Sequence, residues 1–465
     1  MSDLGLIVPE MSLAGFALLY LVIGLALKRW RWLVGIFTII GLVGELALVV
    51  AFLTLSGNAF GVLTVSPFGR LLDLVFLAAA LITLLIYLDI RELPYEGGFF
   101  LLAGTLGAML LPKSVDFIML FLSLETLSFS LYALVGLRGT RLDAESGIKY
   151  FVLGGFSSAF LLMGIALLYA LAGTFSFSGV MSAISDPGYN IGVLIAALSF
   201  IGIGFLFKAS AVPFHFWTPD VFEGATAPVA SYIATASKVA AFGLLLNIFS
   251  LAFGANPDLW WGFLWYVSVL TMFVGNTAAL LEKSVKKMLA YSAIAHAGYL
   301  IIPVMAGTIS SFSVIVLYAL VYTMMTGGAF AIVSVLGDER TSLDSYKGLA
   351  KTRPIQAFLL TLFLLSLAGV PPLAGFVAKF YLFTGAFGAG LLSLAIIGLI
   401  NGVISAYYYL RVVVYMYMME PEEEPEIPKL RKRLWTAIAI AIAAAGTVYL
   451  GFFPGPALDF IRGLF

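Results

Sequence analysis

"FLFKASAVPFHFWTPD", residues 205–220, sets a lysine, a proline and a histidine inside a run otherwise suited to lipid. An ammonium group such as that of Lys208 costs roughly 2.5–3.5 kcal/mol at the centre of a bilayer, even on insertion-based scales. Pro213 lacks the N–H that the helix ladder needs, and its ring clashes with the preceding turn. The segment is therefore predicted to be a membrane helix broken near Pro213. Backbone groups freed by a break at that depth need water or polar side chains. The stretch predicts a hydrated interruption next to a buried amine.

The rest of the chain agrees with a membrane setting. Of 465 residues, 62% are hydrophobic and 11% charged, against about 45–50% and about 25% in soluble domains. There is no cysteine, which removes thiolate iron–sulfur ligation, disulfides and cysteine nucleophiles. Two histidines, His215 and His296, disfavour a multi-histidine metal or haem site, and zero net charge gives no sign of a nucleic-acid partner. Residues 4–27 lack a basic n-region and a small-residue cleavage site, so they read as a retained span.

A bilayer core needs about 20 apolar residues per helix. That ruler marks fourteen segments: 4–27, 33–55, 68–88, 97–112, 115–137, 148–172, 190–212, 226–253, 259–281, 288–307, 311–336, 354–370, 391–417 and 434–454. The fold class expected is an all-α membrane protein of about 14 transmembrane helices. The seventh and twelfth segments each continue past a proline into a second short piece. Connections after odd-numbered spans hold eighteen Lys and Arg, including Lys28, Arg91, Lys149, Lys286 and the run Lys429–Arg433, whereas the opposite side holds Arg70, Lys113 and Arg462. By the positive-inside rule both termini face outward, across a bacterial or archaeal cytoplasmic membrane or its organelle equivalent. "EPEEEPEIPKLRKR" (420–433) then reads as a cytoplasmic loop.

Four cations fall within the spans, Lys208, Lys238, Lys379 and Arg411, together with the carboxylates Glu45, Asp73 and Glu125. Intramembrane charges mark ion or proton paths. "SLAGVPPLAGFVAKF" (366–380) repeats the pattern of residues 205–219, with Pro371 and Pro372 as the break and Lys379 as the lysine. The two lysines lie 171 residues apart; the same offset carries Glu125 to His296, and Lys238 to Tyr409 beside Arg411. Matching broken segments in two halves point to a transporter-like ion site. Five spans per half is an odd number, so the second copy enters from the opposite face. The expected organisation is three N-terminal helices (1–95), a first repeat of helices 4–8 (96–255), a second inverted repeat of helices 9–13 (256–418), and the acidic loop with helix 14 (419–465).

Chemically, burial favours the neutral form of an amine, while a carboxylate within about 4–6 Å favours the charged form. A Glu125–Lys208 pair of variable separation is a proton switch. Ser123, Thr126, Ser128 and Ser130 can hold the carboxylate or order water, and "YIATASKVAAFGLL" gives Lys238 a similar hydroxyl-rich turn. His215 and His296 suit proton relays. The glycine-rich "EGGFFLLAGTLG" (96–107) reads as close helix packing, and Trp30, Trp32, Trp260, Trp261 and Trp265 read as interfacial belts. Asp73, near the end of its span, reads as wet, and Glu45 as a residue that meets a partner subunit or the chain's own charges.

"LSLETLSFSLYAL", "FKASAVPFHFWTPDVFEGATAPVASYIATASK", "KKMLAYSAIAHAGYL" and "LAGVPPLAGFVAKFYLF" resemble the antiporter-like proton-pumping membrane subunits of respiratory complex I, NADH-quinone oxidoreductase. "FHFWTPDVFEGA" is closer to subunit N than to subunits L or M, and the long lateral helix of subunit L is missing. The resemblance covers about 95–455 and implies fourteen helices with two inverted five-helix repeats. It implies no redox centre and no cofactor in this chain: flavin, iron–sulfur clusters and quinone belong to partner subunits, and M-like and K-like chains are neighbours. By motif, Glu125 and Lys208 form the input pair, Lys238 the central link and Lys379 the exit-side residue, while His215 and Lys149 match accessory polar positions. Lys379 departs from the glutamate of subunit M. An Mrp-type cation/proton antiporter subunit, the equivalent subunit of a hydrogenase- or deazaflavin-linked complex, and a purely structural scaffold are the competing readings. A sodium site needs oxygen ligands, and the few intramembrane carboxylates favour protons.

Overall fold

The computed structural model describes residues 2–27, 29–90, 93–185, 188–251, 253, 258–420 and 433–464. Lys28, Arg91, Lys429, Arg431, Lys432 and the acidic run 421–426 lie outside the described residues. The chain is almost wholly helical. The long elements are α1 (Val8–Ala26), α2 (Arg31–Ala51), α3 (Pro67–Leu88), α4 (Glu96–Leu110), α5 (Phe117–Gly136), α6 (Arg141–Ala172), α7 (Ile191–Ala209), α8 (Trp217–Gly224), α9 (Ala227–Tyr232), α10 (Lys238–Leu251), α11 (Asp258–Leu281), α12 (Val285–Ala306), α13 (Ile309–Leu336), α14 (Pro354–Ala368), α15 (Ala374–Gly388), α16 (Leu392–Met418) and α17 (Leu434–Phe452). One short hairpin, β1 (Gly57–Ala59) against β2 (Leu63–Val65), closes the α2–α3 connection with Gly57 opposite Val65.

Among the described residues twelve helices are long and apolar enough to cross a membrane, counting α9 and α10 as one. The other two expected spans are the 15-residue helices α4 and α14. A helix of 15 residues is about 22 Å long at 1.5 Å per residue, so each needs its continuation: a single 3-10 turn (Leu111–Lys113) after α4, and α15 after α14. The expected count of fourteen is therefore not reached by full-length helices alone.

The bundle is layered. α3, the α9–α10 pair, α12 and α13 are buried along most of their length, whereas α1, α2, α6, α16 and α17 leave an apolar face uncovered. The inner helices carry Asp73, Lys238 and His296. Glycine lets α4 approach α5 as the sequence implies: a Cβ at Gly107 would lie 2.6 Å from the Leu127 backbone nitrogen and 2.8 Å from the Ser123 carbonyl. Trp30, Trp32 and Trp261 are exposed, but Trp260 is not a belt residue; it is buried and stacks on Phe249 at 4.2 Å.

Candidate functional site

Asp116 starts α5 by accepting from the backbone N–H groups of Ile118 and Met119. Glu125, Ser128 and Tyr132 then fall three and seven residues apart, on one face of the helix. Ser158 of α6 donates to Glu125 Oε1 at 2.6 Å. Lys208, in the last turn of α7, is buried and donates to Ser128 Oγ at 2.6 Å and to Tyr132 Oη at 2.8 Å. Glu125 thus shares a helix face with the two partners of Lys208, but the pair makes no direct ion pair among the described residues; hydroxyls hold each one.

The helix stops at Ala209, with its cap Ser210 in the left-handed region at φ 58°. Residues 210–216 are non-helical and contain Pro213, as predicted. The backbone at the break is satisfied: the Phe207 carbonyl accepts from the Ser210 N–H at 3.0 Å and from the Trp217 indole at 3.1 Å, and the Val212 N–H donates to Thr271 Oγ1 at 3.0 Å. His215 sits buried in the break against Phe216, its Nδ1 without a hydrogen-bond partner.

Beyond α8 the chain enters α9, a π turn over Ile233–Ser237, and then Lys238. π turns arise where one extra residue is accommodated, often at functional sites. Lys238 is 2% exposed and its Nζ has no hydrogen-bond partner; the nearest ring is Phe222, 6.0 Å from Nζ to centroid.

In the second half, His296 lies inside α12, its Nδ1 2.7 Å from Tyr318 Oη and its ring between Tyr299 and Tyr322. The break covers 369–373, with Gly369 at φ +88°. Lys379 folds back from α15 and donates to the carbonyls of Leu367 (2.9 Å) and Ala368 (3.2 Å), closing the C-terminal end of α14. Its Nζ lies 5.6 Å from the Tyr299 ring, so Tyr299 links Lys379 to His296. A cavity of about 620 Å³, lined by Gly369, Pro371, Lys379, Phe380, Phe383 and Thr384 among others, opens beside it. Tyr299 Oη, Thr323 Oγ1 and Thr326 Oγ1 are further buried groups without a partner along these helices. Buried polar atoms of this kind call for water.

Lys149, the expected accessory polar residue, is 45% exposed and pairs with Glu145 (3.0 Å) and Asp220 (3.1 Å). Other expectations need correction. Asp73 is not wet, and Arg70 and Lys113 are not loop cations. Glu10, Arg70, Asp73 and Lys113 form a closed ring of alternating charge in which every member is at most 3% exposed. Arg70 Nη1 reaches Glu10 Oε1 at 2.7 Å and Asp73 Oδ2 at 3.1 Å, and Lys113 Nζ touches both carboxylates. Glu10 was overlooked within 4–27; the i, i+3 spacing of Arg70 and Asp73 was the available signal. Glu45 is buried and accepts from Ser12 at 2.6 Å. Arg411 caps α11 through the carbonyls of Ala279, Leu280 and Glu282. Lys286, counted as a loop cation, is 1% exposed.

Buried amines and two interrupted helices within a bundle of membrane-length helices have the pattern of an antiporter-like multi-pass membrane protein. Residues 114–405 match the family described as NADH:quinone oxidoreductase/Mrp antiporter, transmembrane, and the chain belongs to it. It is 39% identical to NADH-quinone oxidoreductase subunit N of Trichlorobacter lovleyi, with 99% of this chain and 96% of that one covered. Among solved structures, a chain of respiratory complex I from Thermus thermophilus superposes with a TM-score of 0.82 at 33% identity, covering 97% of this chain and 98% of that one. A chain of the Mrp complex from Dietzia sp. DQ12-45-1b gives 0.85 at 20% identity, covering 98% and 96%, which shows the shared fold.

Proposed function

We propose that this chain is a proton-translocating membrane-arm subunit of NADH:quinone oxidoreductase, moving protons along Glu125, Lys208, Lys238, His296 and Lys379 while other subunits carry out NADH oxidation and quinone reduction. The observation that carries the reading is the burial of three lysines and a histidine across the inner helices and both breaks. Isolated amines at such sites are otherwise costly. Lys208 takes a proton when the Glu125 side is charged and passes it on when that influence is withdrawn. Lys238, with no fixed partner, carries it inward, and the His296–Tyr299 pair leads to Lys379. His215 serves the water-filled first break, and Lys149 stands at its exposed mouth.

Under this reading residues 96–255 and 256–418 are inverted repeats, supported by one break in each. The termini face away from the cytoplasm, supported by the bias of Lys and Arg to one set of loops. Flavin, iron–sulfur clusters and quinone are held by partner subunits, and other membrane-arm subunits flank this one in a bacterial or archaeal membrane. A cation antiporter of the Mrp type shares the fold, but a sodium path needs clustered oxygens and the line here is built of amines. The test is proton pumping in native membrane vesicles. Lys208→Ala and Glu125→Ala are expected to assemble and to lower pumping and coupled quinone reduction. Full pumping by both assembled variants overturns the reading.

A further inference from the structure

A further buried cation, outside both the proton line and the Arg70–Lys113 ring, grips the joint between the first break and Lys238. α8 ends at Gly224 and α9 begins at Ala227, leaving Ala225 and Thr226 non-helical. Lys286, at the start of α12, donates to the Ala225 carbonyl at 2.6 Å and the Glu223 carbonyl at 3.2 Å. Asp338, just after α13, accepts from the Ala227 N–H at 2.8 Å and lies 3.8 Å from Lys286 Nζ. Ser284 donates to Glu223 Oε2 at 2.7 Å. The two prongs are themselves joined: the Val285 N–H donates to the Thr341 carbonyl, and the Leu343 N–H to the Lys283 carbonyl. All of these gripping residues come from the second half of the chain, and the joint they hold belongs to the first.

We propose that Lys286 and Asp338 are positioning residues, a clamp through which the second half sets the angle between α8 and α9. The carbonyls of Glu223 and Ala225 lie at the C-terminal end of α8, where a cation is favoured. The Ala227 N–H lies at the start of α9, where an anion is favoured. One ion pair therefore satisfies both helix ends and fixes their crossing. On the α8 side the joint leads to Trp217 and its hold on Phe207, next to Lys208; on the other side it leads through the π turn to Lys238. A change in the second half reaches two lysines of the first half through this clamp.

The effect on coupling rests on the proton-translocating reading; the effect on the joint does not. The assembled complex is therefore studied in two ways. Lys286→Met is expected to raise hydrogen–deuterium exchange of amides 221–232 about tenfold, as for a locally released segment. It is also expected to lower the ratio of protons pumped to quinone reduced about twofold or more, with Lys286→Arg restoring both. Exchange at the wild-type level overturns the clamp, and raised exchange with an unchanged ratio overturns its role in coupling. If Lys286→Met does not assemble, Asp338→Asn decides: it keeps an acceptor for Ala227 but loses the charge. A smaller rise in exchange over the same amides is then expected, and no rise overturns the proposal. Failure of the proton reading itself would appear separately, as full pumping by both Lys208→Ala and Glu125→Ala.

Discussion

The two interrupted helices solve one problem in opposite ways. In the first, Lys208 precedes the break and is held by side-chain hydroxyls, while the Phe207 carbonyl is satisfied by the Ser210 N–H and the Trp217 indole together. In the second, Lys379 follows the break and is itself the group that satisfies the freed carbonyls of Leu367 and Ala368. Glu125 shares a helix face with the partners of Lys208. Neither lysine makes an ion pair with a carboxylate among the described residues. The ammonium of the first half can lose its proton without unsettling the backbone. In the second half, proton release weakens the cap, so proton and helix geometry are tied together there.

The widest separation is expected between Lys208→Met and Lys379→Met. Each should lower pumping in vesicles about tenfold or more, equivalent to about 1.4 kcal/mol of barrier. Only Lys379→Met should also cost folding stability, about 1–3 kcal/mol for carbonyls left unpaired, seen as a lower thermal midpoint of the purified complex. Equal stability losses would erase the contrast. Lys379→Arg should recover the midpoint, because a guanidinium can still donate to both carbonyls.

Smaller effects sharpen the same contrast. Trp217→Phe keeps the stacking on Tyr150 and Phe207 but removes one of the two donors to the Phe207 carbonyl, leaving the Ser210 N–H, for a loss of about 0.5–1 kcal/mol in thermal stability; a variant as stable as wild type would show that the Ser210 N–H alone suffices. Tyr132→Phe removes one of the two oxygens that Lys208 reaches and should slow pumping a few-fold, by about 0.5–1.5 kcal/mol, without hindering assembly. Lys149→Ala ranks last. Its ion pairs with Glu145 and Asp220 are solvent-exposed, so pumping and assembly should match wild type, and a large loss would move Lys149 into the conducting line.

What the sequence revealed divides along the same physical boundary. Strong apolar runs and prolines state their own case, so the spans, both breaks and the burial of Lys208, Lys238, His296 and Lys379 were legible from residues alone. Polar residues at the ends of spans were not. Hydropathy assigns Arg70, Asp73 and Lys113 to water because it cannot see that three chain segments bring opposite charges together. Lys286 was missed for the same reason: its partners are backbone carbonyls 61 and 63 residues away. The 15-residue helices α4 and α14 fell short of the span ruler because their remaining length is supplied by a different local structure.

The ring of Glu10, Arg70, Asp73 and Lys113 has a consequence for an energised membrane. Voltage does work on a single charge at about 2.3 kcal/mol per 100 mV of full transit. Two cations and two carboxylates held together present no monopole, so the electric field exerts almost no net pull on this ring. The lone ammonium of a protonated Lys238 has no such cancellation. The buried ring is thereby indifferent to the membrane potential, while the proton's own carrier is exposed to it.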